Sequence, residues 1–207
     1  MQVLWIVLVS AGVMALFIWL AIRQQRHALA LLAALAQRQG LSLGGAADSM
    51  LTKQELAGEQ HGRRVRLWTY STGSGKSRRT WIAAGVEPRR SGLFTFELQP
   101  QGMFAKLSEF FGAKEIQVGD RAFDEQWFVR TSMPEEFRAA LLPEIRGKFI
   151  AAHAAGARGK FKLEEGWVCY TEQGGFASEP AVRRLEGLLP LLHELADIAE
   201  VCAGPGR

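Results

Sequence analysis

The sequence predicts an α+β protein. An N-terminal transmembrane helix and a helical stalk lead into an antiparallel β-meander domain with inserted short helices, closed by a C-terminal amphipathic helix. Three observations predict it. The chain opens with an uncharged apolar run of bilayer length, its middle alternates apolar and polar residues with period two, and its last stretch repeats leucines near period 3.6. Of the 207 residues 48% are apolar and 22% charged, a composition that excludes a disordered chain and leaves room for one ordinary domain with an appendage.

Val3 to Ile22 carries no charged side chain over twenty residues, which at about 1.5 Å per residue matches a hydrocarbon core of about 30 Å. Nothing basic precedes the run, and Arg23, Arg26 and Arg38 follow it. The pattern predicts an uncleaved anchor over 1–22 in a bacterial inner membrane, single-pass, with the N-terminus outside and the C-terminal domain cytoplasmic. Ala- and Leu-rich sequence then predicts a stalk over 23–40 ending at Gly40, and paired glycines predict a linker over 41–50.

Within the domain, 51–203, the segments LTKQELAGE, RRVRLWTYS, RRTWIAAGVE and LFTFELQ alternate with period two and predict four consecutive antiparallel strands. Gln60-His61-Gly62 makes the first turn. GMFAKLSEFFG, after Pro100, has helical spacing at Phe104, Leu107 and Phe111. A strand follows over 126–131, then helices opened by Pro134 and Pro143, a second hairpin around Gly166, and a helix from Glu179-Pro180 to Val201 that contains Pro190. Residues 204–207 form a tail.

TGSGKS, at 72–77, brings Gly-Lys-Ser behind glycines. A phosphate loop needs a further glycine at position 70, where Tyr70 stands, and a helix after it. Alternation on both sides makes the segment the tip of a hairpin between the second and third predicted strands, so no nucleotide is expected. His27, His61, His153 and His193 lack ligand spacing, and Cys169 and Cys202 form no CxxC pair. Neither a metal nor a cofactor is expected. The one carboxylate cluster, Asp120, Asp124 and Glu125, follows Gly119, where aspartates usually serve turns and caps.

Charge is the more informative signal. Between Arg63 and Arg90 stand eight cations against Glu87 alone, in a chain whose net charge is +4. Such an excess suits an anionic partner. Arg64, Arg66, Lys76, Arg78 and Arg79 are therefore candidates for an anionic surface, with Trp68, Tyr70 and Trp81 as aromatic neighbours at the interface. No nucleic-acid reading module accompanies them.

The stretch from Ile116 to Ile150 resembles an uncharacterised bacterial single-pass membrane-anchored family carrying G-D-x-x-F-D-x-x-[F/W]-x-V, met here by Gly119, Asp120, Phe123, Asp124, Trp127, Phe128 and Val129. The resemblance extends over about residues 40–200 and implies an N-terminal anchor and one α+β domain, without an activity. The order of four strands, three strands and one helix is also similar to pleckstrin-homology-like domains. The function expected is a membrane-anchored, non-enzymatic binding or scaffold module whose basic hairpin contacts the lipid bilayer, through anionic head groups, or an acidic protein. Two alternatives stand beside it: a subunit of an inner-membrane complex docking through the C-terminal helix, and a hydrolase-like enzyme centred on Asp120 and Asp124.

Overall fold

Period-two segments put every second side chain on one face of a sheet, and helices with an apolar stripe cover that face. A computed structural model describes residues 2–44, 55–101 and 114–204. Helix α1 (Gln2–Gln39) leads to β1 (Ser42–Gly44), β2 (Glu55–Gln60), β3 (Arg63–Thr72), β4 (Arg79–Val86), β5 (Phe96–Pro100) and β6 (Lys114–Ile116). Then come α2 (Arg121–Asp124), β7 (Trp127–Thr131), α3 (Pro134–Ala140), α4 (Pro143–Ala154), β8 (Lys160–Glu164), β9 (Trp167–Gln173) and α5 (Glu179–Cys202). The helix expected over GMFAKLSEFFG lies outside the described residues.

The strands form one antiparallel sheet in the order β1-β2-β3-β4-β9-β8-β5-β7-β6. This corrects the four-strand meander. β2, β3 and β4 are consecutive neighbours, but the β8–β9 hairpin enters between β4 and β5. Alternation determines which face a residue takes and is silent about which strand it pairs with. The single sheet, with its last hairpin at the centre, also departs from the four-plus-three order on which the pleckstrin-like comparison rested.

Leu56, Val65, Leu67, Ile82, Ala84 and Val86 face a core closed by Leu185, Leu188, Leu192 and Leu195 of α5. Beyond it Trp127, Phe149 and Phe161 pack edge to face at 5.0–5.6 Å, and the Trp127 Nε1–H donates to Phe149 O at 3.2 Å. A buried polar link ties α5 to the sheet: the Tyr170 hydroxyl donates to Glu172 at 2.7 Å and accepts from Gly159 N at 3.0 Å, while Arg184 reaches Glu172 at 2.8 Å. Position 159 admits only glycine, since a Cβ there would sit 2.1 Å from Thr171 O.

The anchor expectation is overturned. Among the described residues no helix is long and apolar enough to cross a membrane. The described apolar stretch of α1, with Met14, Phe17 and Trp19 exposed, gives way at Arg23 to sequence of mixed polarity. The transmembrane assignment of 1–22, and with it the single-pass inner-membrane location and its orientation, therefore lacks the structural basis assumed for it. Nor does 23–40 stand off as a free stalk. Ala28, Leu32, Leu35 and Ala36 are buried in the core, and Arg38 binds Glu186 of α5 through Nε at 2.8 Å and Nη2 at 2.7 Å.

Candidate binding surface

The hairpin that holds TGSGKS is the longest in the sheet, with eight register pairs from Val65↔Val86 to Thr72↔Arg79. Its tip is tightly turned. Gly73 has φ +75°, where an added Cβ would meet Ser77 O at 2.6 Å, and the Ser77 hydroxyl donates to Ser74 O at 2.8 Å. A single 3-10 turn, Gly75–Ser77, then leads directly into β4. The segment thus lacks the α-helix N-terminus on which a phosphate loop depends.

Alternation sorts the cations of β3 between faces. Arg63 points beneath α5, 7% exposed, with Nη2 2.6 Å from Asp197 and Nε 2.9 Å from Glu200. Arg64 and Arg66 lie on the opposite face, where Arg64 pairs with Glu87 and Arg66 Nε lies 3.2 Å from Glu55. Both guanidiniums also lie against indole rings. Arg66 stands 4.3 Å from the Trp68 ring and 5.6 Å from the Trp167 ring, and Arg64 is 5.7 Å from Trp167. Lys76, Arg78 and Arg79 are exposed at the tip, and none forms an ion pair with a described carboxylate. Arg78 donates to Ser71 Oγ at 3.4 Å.

The aromatic residues divide in the same way. Trp68 and Trp167 close over Gly85, where a Cβ would lie 3.1 Å from one indole and 3.2 Å from the other. Tyr70 and Trp81 are cross-strand partners nearer the tip, half-buried and near-parallel, with centroids 6.3 Å apart. Trp81 Nε1–H donates to Thr72 Oγ1 at 2.8 Å, and burial pushes the Tyr70 phenol up from its ordinary value. Trp167 was not among the sequence candidates, because only the β4–β9 register, Gly85↔Cys169, brings it beside Trp68.

Gly119, Asp120, Phe123 and Asp124 form a separate turn between β6 and β7. Asp120 caps α2, accepting from Phe123 N at 3.3 Å, and lies 3.3 Å from Arg146 Nε. The Asp124 carboxylate accepts from Val118 N and Gly119 N, both at 3.0 Å, while Phe123 is buried against Phe149. Each carboxylate is thus engaged in holding the turn. On α5, Leu188, Leu191, Leu192 and Leu195 are all buried, so the apolar docking patch expected there is absent among the described residues.

A second feature lies at the other end of β3. A cleft of about 810 Å³ opens between the end of α1, the β2–β3 turn and α5. His61, at φ +54°, meets His193 edge-on at 4.9 Å, and Gln60 Oε1 accepts from His193 Nε2 at 3.3 Å. Burial, together with the charges of His61 and Arg63, holds the His193 pKa below its ordinary value. His193 Nδ1 and Glu194 Oε2 are buried without hydrogen-bond partners among the described residues, which usually costs about 1–3 kcal/mol per group. No group of His, Cys, Asp and Glu suited to a metal ion occurs among the described residues.

No protein-family model and no curated protein matches the chain. Among solved structures it is similar to the crystal structure of the mycobacterial trehalose monomycolate transport factor A, TtfA, at 15% sequence identity with a TM-score of 0.55. The match covers 84% of this chain and 94% of that one, so it is the fold of nearly the whole domain that the two chains share.

Proposed function

We propose that the chain is a non-enzymatic binding module whose β3–β4 tip docks on anionic lipid head groups. The observation that carries this reading is the set of exposed cations without an ion-pair partner among the described carboxylates, Lys76, Arg78 and Arg79, set beside the Tyr70–Trp81 pair. Arg64 and Arg66 contribute less than their sequence suggests, because Glu87 and Glu55 already neutralise them. A fold shared with a transport factor fits an accessory, binding role. Asp120 and Asp124, both engaged in a turn, offer little to an enzyme.

Each cation held near an anionic leaflet contributes about 1 kcal/mol, so the three together supply about a hundredfold in partitioning. The test is flotation of the full chain with phosphatidylcholine vesicles, with and without phosphatidylglycerol. Lys76→Glu, Arg78→Glu and Arg79→Glu combined should abolish the preference for the anionic vesicles. An unchanged preference would overturn the reading, and so would a wild-type chain with no preference that instead captures a polyglutamate peptide, an acidic protein-like partner.

A further inference from the structure

Two elements leave the domain at the same end. Helix α5 starts beside the close of β9, where Arg184 reaches Glu172, and finishes where Arg63 and the Arg89 backbone N–H both donate to Glu200. Glu172 pairs in register with Ile82, and Gly174 N donates to Thr80 O, so the first turns of α5 lie at the tip end of the β3–β4 hairpin. Helix α1 runs antiparallel to α5. Arg38 holds Glu186, while Leu31 and Ala34 line a crevice with Glu179, Val182 and Arg183. Traced back from Leu31, α1 therefore passes the start of α5 and continues toward the level of the tip.

From Leu31 to Arg23 the helix rises about 12 Å. From Ile82 to Arg79 the strand extends about 10 Å, and the Gly75–Ser77 turn lies beyond it. Arg23 and Arg26 thus come level with Lys76, Arg78 and Arg79 to within about one helical turn. Both arginines are exposed, and no described carboxylate forms an ion pair with either. Arg23 lies 5.4 Å from the Trp19 ring, just as the tip sets its cations beside Tyr70 and Trp81. Beyond Arg23 the exposed side chains turn apolar. Met14, Leu16, Phe17 and Ile18 are each more than half exposed, and their positions go round the helix instead of forming one stripe. A protein groove takes one face of a helix, whereas a lipid surface meets a girdle of this kind on all sides.

We propose that the lipid-docking surface is composite: Arg23 and Arg26 of α1 share one plane with Lys76, Arg78 and Arg79 and meet the same anionic head groups, with Phe17 and Trp19 pressed into the layer beneath them. This rests on the docking of the tip proposed above and adds a second contact on a separate element. A single contact leaves the domain free to pivot. Two contacts stand it upright, with β3 and β4 pointing at the surface and the β2–β3 turn directed away. Together the five cations reach the size, about four to eight, at which basic clusters hold anionic leaflets. The contact requires no crossing of the bilayer, for which no described helix is long and apolar enough.

Flotation of the full chain with phosphatidylcholine vesicles, with and without phosphatidylglycerol, tests the shared plane. Arg23→Glu combined with Arg26→Glu, both at exposed positions, should weaken binding to the anionic vesicles about tenfold or more. Arg90→Glu removes an exposed cation at the opposite end of β4 and should leave binding as it is. An environment-sensitive dye on Phe17→Cys should brighten on the anionic vesicles, and the same dye on Arg90→Cys should not. If the α1 variant binds as the wild type does while Lys76→Glu, Arg78→Glu, Arg79→Glu loses the preference, the composite plane is overturned and the docking of the tip stands. A wild-type chain without preference overturns both. Equal losses in the α1 and Arg90 variants would overturn the plane as well, and so would a Phe17 dye that brightens without vesicles as dimers form in sedimentation, which assigns the apolar girdle to a second copy of the chain.

Discussion

The two ends of β3 carry the same kind of residue in opposite circumstances. At its start Arg63 is buried beneath α5 and held by Asp197 and Glu200, more than 130 positions away in sequence. Beyond its end Lys76, Arg78 and Arg79 stand in solvent with no described carboxylate as ion-pair partner. Between them Arg64 and Arg66 are paired locally and laid on indoles. A run of positive charge in the sequence thus divides into a structural anchor, a covered sheet face and an available tip. What divides it is the parity of each position and the location of the acids, not the density of cations.

Substitutions along the strand should separate these three circumstances. Arg63→Ala should have the largest effect on stability, about 2–3 kcal/mol, because it strands Glu200 beside a buried surface while Asp197 stays largely solvated. Urea denaturation would measure it. Arg64→Ala should leave the midpoint where it is, and equal losses at the two positions would erase the distinction between them. Gly85→Ala comes next. The new Cβ must displace Trp68 and Trp167 by a few tenths of an ångström, at a cost of about 1 kcal/mol, and it should alter indole fluorescence without changing vesicle binding at the tip.

The smallest effect is expected at the cleft. Burial and the charges of His61 and Arg63, opposed by Asp197, lower the His193 pKa in the folded chain and so disfavour its protonated form. The unfolded chain takes up a proton at about pH 6.5 while the folded chain resists it. Below that pH the unfolded state therefore binds more protons, and stability falls until the depressed folded pKa is passed. The melting temperature should drop between about pH 7.5 and about pH 5.5, and drop less in His193→Gln. An identical drop in both would assign the pH response to other groups.

Local features were legible in the sequence because they depend on neighbours in the chain. Alternation through β3 and β4, the strand over 127–131, the proline helix starts and the closing helix to Cys202 all follow from spacing, and they make the chain α+β. Strand order was not legible, since the β8–β9 hairpin enters the sheet by pairings that no local pattern encodes. Hydropathy of the opening run likewise suggested an anchor and a separate stalk, whereas Leu32 and Leu35 of the same helix are core residues. At the candidate surface the cations were visible but their partners were not. Glu55 and Glu87 neutralise Arg64 and Arg66, and Trp167 reaches Trp68 only through the β4–β9 register.

If the tip docks as proposed, available charge rather than total charge is what makes it do so. Vesicle flotation of two full-length variants, each losing cations from the same hairpin, tests it most directly. One carries Arg78→Ala and Arg79→Ala, the other Arg64→Ala and Arg66→Ala. The account predicts that the first loses its preference for phosphatidylglycerol vesicles and that the second keeps it. Equal losses in the two, or loss in the second alone, would contradict it.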